Sequence, residues 1–298
     1  MINALRFLKI TLISLVIVAI FIISGVFYFL WKYSSELPSY EKITNYSPSL
    51  SSRIYSSDGL LLKSYFIEER IFIPIDRIPK KIKEAFISAE DKKFYHHRGI
   101  DLIAIFRAFV TNILSYNNNK RVVGASTITQ QVVKNLLLSN ELSYERKIKE
   151  IILAIRIENI LTKNQILELY LNDIYLGFGS YGIGTASLNY FNKSIYELEL
   201  HEIAFLAALP KAPNNYNPRN NYKSAYDRRN WVIDRMYANN YITKKDLKHK
   251  LESIKIFDRQ ESIFTNADYY YEEIRKKLFA EYGKNALYSD GLVVKTSI

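Results

Sequence analysis

The sequence contains no cysteine, which excludes disulfide bonds and thiolate metal sites and leaves the redox compartment open. Acidic residues are scarce: 30 Asp and Glu stand against 41 Lys and Arg, a formal net charge of +11 at pH 7. Such a chain favours an anionic partner, whether nucleic acid, a membrane surface or a phosphorylated substrate. With 48% hydrophobic residues over 298 positions, the chain is not disordered and has the material for one large core or two modest ones.

Charges are missing altogether from residues 10–31, a run of 22 residues. At about 1.5 Å per helical residue, this run is long enough to cross a hydrocarbon layer of about 30 Å. We expect an uncleaved transmembrane anchor; the alternative, a cleaved signal peptide, has a shorter apolar region and a small-residue cleavage site. Arg6 and Lys9 precede the run, which predicts a cytoplasmic tail at 1–9 and places the residues after the anchor outside the membrane. Residues 32–51, rich in Ser and Pro, are expected to be a tether.

Short β-prone runs follow the tether at 53–55, 60–66 and 71–75, with Asp58-Gly59 as a turn signal between the first two. They predict a small sheet that contains a hairpin. After Pro79 the pattern is helical almost to the end of the chain.

The first helical pattern ends in a group of titratable residues. Its apolar positions, spaced for one buried helix face, are Ile82, Ala85, Phe86 and Ala89. Glu90 comes at the C-terminal edge of this face, and Gly99 is the stop signal. A carboxylate half-buried beside apolar residues can have its pKa raised from about 4.3 towards 6 or 7, which suits a general base. The alternative is a solvated charged turn.

Residues 101–114 are apolar over most of the helix circumference and too short to span a bilayer. This helix is expected either deep in the core or in the lipid interface, and the sequence does not choose between the two. The basic loop at 117–121 would suit phospholipid headgroups.

Residues 124–135 open another helix, with Ser126 or Thr127 as its N-cap. The predicted buried row is Ile128, Val132 and Leu136. The donors near the helix N-terminus are Thr127, Gln130, Gln131 and Lys134. Together they could hold an oxyanion or a sugar hydroxyl; otherwise they are only a polar helix face with a good cap.

A longer helix is expected from 143 to 161. Its predicted buried stripe is Ile148, Ile151, Ile152 and Ile155. Arg146, Lys147 and Glu150 are either an intrahelical salt bridge or two cations and a carboxylate directed at a polyanion. Thr162 and Gln165 form a capping-box pattern before the helix at 166–172.

Two further patterns are rejected as functional motifs. Residues 177–182 match G-x-G-x-x-G, but they follow a helix rather than a strand, so we interpret them as a glycine-rich turn. His201 and Glu202 begin like the helix of a zinc protease, but Phe205 stands where the second histidine is required. A zinc site is therefore not expected. A buried helix is predicted at 200–209 and a loop at 211–221.

Four of these stretches, in this order, resemble the peptidoglycan glycosyltransferase family, found in monofunctional transglycosylases and at the front of class A penicillin-binding proteins. The family's E-D-x-x-F-x-x-H-x-G is met by Glu90, Asp91, Phe94, His97 and Gly99. Residues 124–135 meet G-G-S-T-I-T-Q-Q-x-x-K-N, except that Ala125 replaces the second glycine. R-K-x-x-E is met by Arg146, Lys147 and Glu150, and I-L-E-x-Y-L-N by residues 166–172.

The resemblance implies polymerisation of lipid II with inversion and release of polyprenyl pyrophosphate. It implies Glu90 and Glu150 as catalytic residues and no organic cofactor. Expected substrate-binding residues are Asp91, Phe94, Ser126, Thr127, Gln130, Gln131, Lys134, Arg146 and Lys147. A divalent cation, Mg²⁺ or Mn²⁺, is expected to bridge Glu150 and the pyrophosphate. Moenomycin is expected to bind as a donor mimic. The expected partners are lipid II, the nascent glycan, the cytoplasmic membrane and other cell-wall synthesis proteins, and no nucleic acid.

The implied fold is mainly α, a lysozyme-like domain at 52–240 with a membrane-facing jaw at about 100–125. Residues 241–298 are expected to be a helical extension and the start of a linker to a transpeptidase domain that is absent from this chain. The expected location is the bacterial cytoplasmic membrane, with the catalytic domain on its outer side. Two rival functions are a lytic enzyme acting on finished glycan, which would not need the pyrophosphate cations, and a non-catalytic cell-wall scaffold.

Overall fold

A computed structural model describes residues 2–34, 37–38, 52–65, 69–115, 124–138, 143–257 and 268–297. The helices are α1 (Ile2–Ser34), α2 (Lys80–Glu90), α3 (Leu102–Leu114), α4 (Ile128–Leu137), α5 (Tyr144–Glu158), α6 (Lys163–Asp173), α7 (Gly182–Phe191), α8 (Leu200–Ala208), α9 (Pro218–Ala238) and α10 (Asp268–Tyr288). The strands are β1 (Ser52–Tyr55), β2 (Leu61–Tyr65), β3 (Glu69–Arg70), β4 (Ser180–Tyr181) and β5 (Val293–Lys295). Short 3₁₀ helices lie at Ile75–Arg77, Leu209–Lys211 and Lys244–Leu251. The expected mainly helical fold is confirmed.

The main hydrophobic core lies between α2, α4, α5, α6, α7, α8 and α9. Phe86 of α2 and Tyr170 of α6 meet edge to face with ring centroids 6.2 Å apart, and both are buried. Fully burying an apolar side chain of this size contributes about 1.5–3 kcal/mol. Because α2 is packed on α8 and α9, the end of α2 that carries Glu90 is held in place.

The small sheet has the strand order β2-β1-β5. The hairpin predicted at Asp58-Gly59 is present: β1 and β2 are antiparallel, with Ile54 opposite Lys63, and Gly59 has a φ of +89°. β5 then adds to the other edge of β1 in parallel. Ile54, Leu62 and Tyr271 form a second, smaller core between this sheet and α10.

The third predicted strand, at 71–75, is wrong. Only Glu69 and Arg70 pair, with β4, and a 3₁₀ helix already begins at Ile75. In the segment after Arg70, side chains of α6 accept hydrogen bonds from the backbone. Ile73 N–H donates to Asn172 Oδ1 at 2.8 Å, and Ile75 N–H donates to Glu168 Oε2 at 2.6 Å. Side chains from a distant helix therefore replace a neighbouring strand.

The helices differ from the sequence predictions at three places, two of them helix boundaries and one a buried face. α2 ends at Glu90 with Asp91 as its C-cap, so Gly99 does not end this helix. On α5 the predicted Ile155 is exposed, whereas Leu153, Ala154 and Ile157 are buried, so the stripe is shifted around the helix. α9 begins at Pro218, inside the predicted loop, with a break at Asn221.

α1 covers the predicted anchor at 10–31. In the part of the chain that the structure describes, no helix has the length and hydropathy needed to cross a membrane. The transmembrane anchor therefore stays a prediction. The predicted basic loop at 117–121 lies outside the described residues, as does most of the tether.

Candidate active site

Glu90 is the last residue of α2, and it stands at the edge of a cleft of about 260 Å³. The apolar face that packs α2 into the core ends here, so the carboxylate is partly buried. Burial raises the pKa of Glu90, while a hydrogen bond from Gln131 and the positive charges of Arg228 and Lys211 oppose this rise. The arrangement matches the predicted base: a carboxyl group that takes up a proton more readily than an exposed glutamate.

Gln131 reaches Glu90 because the N-terminus of α4 is fixed beside it. Thr127 caps α4 and forms a capping box with Gln130, and Thr127 Oγ1 also donates to the carbonyl of Gly99 at 2.6 Å. Gln131 Nε2 then donates to Glu90 Oε2 at 2.8 Å. Thr127 and Gln130 are 2% and 1% exposed. Both were expected to bind substrate, but Thr127 Oγ1 and Gln130 Oε1 each accept a hydrogen bond within the capping box.

Asp91 lines the cleft, but one oxygen of its buried carboxylate is held by hydrogen bonds within the protein. Its Oδ2 accepts a hydrogen bond from His97 Nε2 at 2.8 Å and another from the Ile128 N–H at 3.1 Å. It joins the end of α2, the turn at His97 and the first residue of α4. Asp91 was expected to bind substrate; in this geometry its carboxylate positions the elements around Glu90.

Phe94 is fully buried, so its ring does not reach the cleft. The Lys163 ammonium lies 4.5 Å from the ring centroid, and the rings of Tyr95 and His97 meet it edge to face. Phe94 was expected to bind substrate, but its buried ring is not among the residues that line the cleft. The ring supports the turn that carries His97.

Glu150 and Lys147 are paired on α5. The Lys147 ammonium forms a salt bridge with the Glu150 carboxylate, which is nearly inaccessible, and also donates to Ser126 Oγ at 2.8 Å. Ser126 is exposed and lines the cleft. Of the two interpretations left open by spacing, the intrahelical salt bridge is present. A role of the cations towards a polyanion stays a prediction, although Lys147 also reaches a residue of the cleft wall.

Arg146 and Lys134 are the remaining predicted cations. Arg146 is half-buried, and its Nε is inaccessible to solvent without a hydrogen-bond partner. Lys134 is half-buried on α4, three residues after Gln131 and on the same side of the helix.

Several charged or aromatic side chains near Glu90 were not predicted from the sequence, among them four that come from distant parts of the chain. These four are Lys211, Arg228, Trp231 and Arg235. Trp231 and Arg235 line the cleft opposite α2, and the Arg228 guanidinium lies 3.8 Å from the Trp231 ring centroid. The only available signal was the basic, aromatic composition of 228–235, which has no spacing typical of a site.

Comparison with known proteins decides the family. The sequence model of the family described as Transglycosylase matches residues 58–237, which contain all four motifs and the cleft. This chain belongs to the transglycosylase family. The resemblance read from the four motifs is thereby confirmed.

Two relatives of this transglycosylase-family chain are penicillin-binding proteins 1A. It is 49% identical over 273 residues to penicillin-binding protein 1A of Rickettsia bellii, covering 91% of this chain and 34% of the relative. It is 40% identical over 296 residues to penicillin-binding protein 1A of Escherichia coli, covering 99% of this chain and 34% of the relative. The chain thus spans about a third of the length of these relatives. A crystal structure of penicillin-binding protein 1A from Haemophilus influenzae aligns with 84% of the chain at 26% identity and a TM-score of 0.49.

The described residues of this transglycosylase-family chain do not build a resident metal site around Glu150. Its carboxylate is already paired with Lys147, and it belongs to no described cluster of three metal-ligating side chains. Mg²⁺ is commonly held by one or two carboxylates together with substrate phosphates. Because the Glu150 side chain is nearly inaccessible and already paired, the expected cation between Glu150 and a pyrophosphate stays a prediction.

Proposed function

We propose that this chain is a peptidoglycan glycosyltransferase that polymerises lipid II into glycan strands and releases polyprenyl pyrophosphate. One observation carries the proposal: a partly buried Glu90 carboxylate with a raised pKa, held by Gln131 on the wall of a cleft bordered by cations. A general base is most effective when its pKa lies near the working pH.

In the proposed reaction, Glu90 removes the proton from the 4-hydroxyl of the acceptor sugar. The oxygen attacks the anomeric carbon of the donor, the new glycosidic bond forms with inversion, and the bond to pyrophosphate breaks. The two electrons of the broken bond leave with the pyrophosphate, while the proton stays on Glu90 until solvent removes it. Glu90 and Glu150 have different surroundings, which supports a division of roles.

Lys147 is proposed to contact the leaving pyrophosphate from the cleft edge at Ser126, and Lys134 and Arg146 to add positive charge. Charge-assisted bonds to phosphate are stronger than neutral hydrogen bonds. Glu150 does not reach the cleft surface. We assign it the positioning of Lys147, since it holds the ammonium from the buried side.

Membrane attachment is proposed from two apolar surfaces. The described side chains of α1 between Ile10 and Phe21 are exposed. On α3 the apolar side chains point outward: Leu102, Ile103, Phe106, Phe109, Ile113 and Leu114 are all more than half exposed. Of the two alternatives for α3, the deep core is excluded. An exposed apolar surface of this kind marks a binding or membrane-contacting site, and lipid II is a membrane-embedded substrate.

α1 and α5 are in contact, with the Lys149 ammonium 5.7 Å from the Tyr33 ring centroid. The C-terminal end of the proposed anchor therefore lies against the helix that carries Lys147 and Glu150. This placement would bring the pyrophosphate site close to the membrane surface.

Incubation of the purified chain with labelled lipid II in detergent tests the proposal. The parent should form polymer, and Glu90→Gln, which keeps the shape but removes the base, should lower the rate by about 10² to 10⁴. Glu84→Gln is the matched control on the same helix and should polymerise like the parent. Normal polymerisation by Glu90→Gln would disprove the assignment of the base. Cleavage of finished glycan without polymerisation would favour the lytic alternative.

A further inference from the structure

A second group of chemically active side chains lies outside the cleft. Glu199 and His201 are at the N-terminal end of α8, and His249 comes from the 3₁₀ helix Lys244–Leu251. One ligand atom from each of the three side chains lies within 4.8 Å of the others. The zinc-protease pattern requires a second histidine at position 205, where Phe205 stands. The fold instead brings His249, from a distant segment, beside His201.

Both histidines have a buried ring nitrogen that makes no hydrogen bond. Nδ1 of His201 and Nδ1 of His249 are inaccessible to solvent and make no hydrogen bond. The two rings are nearly parallel, at 16°, with centroids 6.1 Å apart, and Glu199 Oε2 lies 3.5 Å from His201 Nδ1. Buried polar atoms in proteins are nearly always bonded. Two unsatisfied imidazole nitrogens in one cluster therefore need a partner, and a bound cation would provide one.

The donor set selects the class of cation. Two imidazoles and one carboxylate are typical ligands of Zn²⁺, whereas Mg²⁺ and Ca²⁺ prefer oxygen ligands only. With metal–ligand bonds of about 2.0–2.1 Å, ligand atoms of a tetrahedral site lie about 3.3 Å apart. The Glu199 side chain is 59% exposed, and it caps α8 through the backbone of Glu202, which leaves its second oxygen to bind the ion. The cluster borders a cavity of about 420 Å³, which leaves room for a water molecule as fourth ligand.

We propose that Glu199, His201 and His249 bind one zinc ion that links α8 to the 3₁₀ helix Lys244–Leu251. The site is structural rather than hydrolytic. Glu202, the residue in the position of a protease base, is committed elsewhere: it accepts from the Glu199 N–H at 2.8 Å and from Lys193 at 2.7 Å. Because α8 packs against α2, the ion would stabilise the elements behind Glu90 without touching the cleft.

Cobalt and zinc titrations of the full chain test this inference. The chain is purified in detergent, its affinity tag is removed because a histidine tag binds the same ions, and it is treated with a chelator. Co²⁺ should then give the visible absorption of a four-coordinate site at one equivalent, and Zn²⁺ should displace it. Absence of both signals would overturn the proposal.

Three variants locate the site. His249→Gln and Glu199→Gln should each weaken Zn²⁺ binding by at least about tenfold, since even indirect changes to a zinc site cost 10- to 100-fold in affinity. The matched control is His96→Gln, which changes an exposed histidine outside the cluster and should bind like the parent. Unchanged affinity in His249→Gln and Glu199→Gln would place any bound zinc elsewhere and overturn the assignment.

Thermal unfolding separates loss of the site from loss of the fold. A ligand that binds only the folded state raises the melting temperature. Zn²⁺ should therefore raise it in the parent and in His96→Gln, with a smaller effect in Glu199→Gln. Glu199→Gln keeps the capping oxygen of an exposed side chain, so it should remain folded even if His249→Gln does not. An equal zinc-induced rise in Glu199→Gln and the parent would contradict the site.

Discussion

The side-chain amide of Gln131 lies 2.8 Å from the Glu90 carboxylate and joins the first two sequence motifs in one hydrogen bond. The two influences on Glu90 oppose each other. Burial raises its pKa, because a charge is costly away from water, and the Gln131 donor lowers it, because it stabilises the ionised form. Gln131 is therefore placed to tune the proposed base.

Replacing Gln131 by Met should move the acidic limb of the kcat/KM profile to higher pH. The base is active when ionised, so activity appears as pH rises through its pKa, and loss of the donor raises that pKa further. The measurement is the rate of lipid II polymerisation across pH. Asn135→Ala, at an exposed position on the same helix, is the control and should leave the profile unchanged. A shift of the limb to lower pH would show that Gln131 does not stabilise the ionised base.

Gly99→Ala should destabilise the fold much more than Gly59→Ala. The two glycines have similar φ values, +86° and +89°, so both variants lose about 1–2 kcal/mol to the left-handed backbone. A Cβ at Gly99 would lie 2.7 Å from the backbone of Ala154, whereas one at Gly59 meets no atom within 4 Å. Urea unfolding of both variants measures the difference. Equal losses of unfolding free energy in the two variants would mean that α5 can move away from the added Cβ at Gly99 at little cost in free energy.

Lys147→Ala should lower both stability and moenomycin binding. It leaves the buried Glu150 carboxylate without its partner, a loss of about 1–3 kcal/mol in unfolding free energy. Adding Glu150→Gln to this variant should restore part of that stability, since no buried charge remains, but should not restore moenomycin binding. Glu145→Gln, in an exposed pair with Lys149, is the control and should change stability by at most about 1 kcal/mol.

If α3 contacts the membrane, polar substitutions on its exposed face should weaken membrane binding without lowering folding stability. Leu102→Gln, Phe106→Gln and Phe109→Gln in one variant should leave the melting temperature close to that of the parent, because all three side chains are exposed. The same variant should bind liposomes more weakly and polymerise lipid II in bilayers more slowly. Leu60→Gln, at an exposed position in the hairpin turn, is the control. A marked loss of folding stability in the triple variant would argue for a packed rather than a membrane-facing role.

Local patterns predicted the elements that depend on local physics. The turn at Asp58-Gly59, the cap at Thr127 and the capping box at Thr162 are all present, because each depends on hydrogen bonds or backbone angles within a few residues. The strand predicted at 71–75 failed for the opposite reason. Its β-prone residues are apolar, but their backbone partners are side chains of α6, which no local pattern reveals.

The features of the candidate site also fall into two groups, those that the sequence predicts and those that depend on packing. Glu90 could be found from the sequence, because its helix face and the four ordered motifs are visible there. The internal hydrogen bonds of Asp91, Thr127 and Gln130 could not be predicted, since periodicity assigns a residue to a helix face but does not say what covers that face. The approach of Trp231 and Arg235 to the cleft is also invisible in sequence, because α9 is distant along the chain and is brought there only by packing.

The sequence by itself determined the family of this protein, its mainly helical character and the identity of the proposed base, since these follow from ordered motifs and from the spacing of apolar residues. Only the tertiary structure decided which polar residues are used internally, that the apolar face of α3 is exposed and that His249 lies beside His201. The physical reason is that burial and long-range contact depend on which elements pack together, and packing is a property of the whole chain rather than of any local pattern.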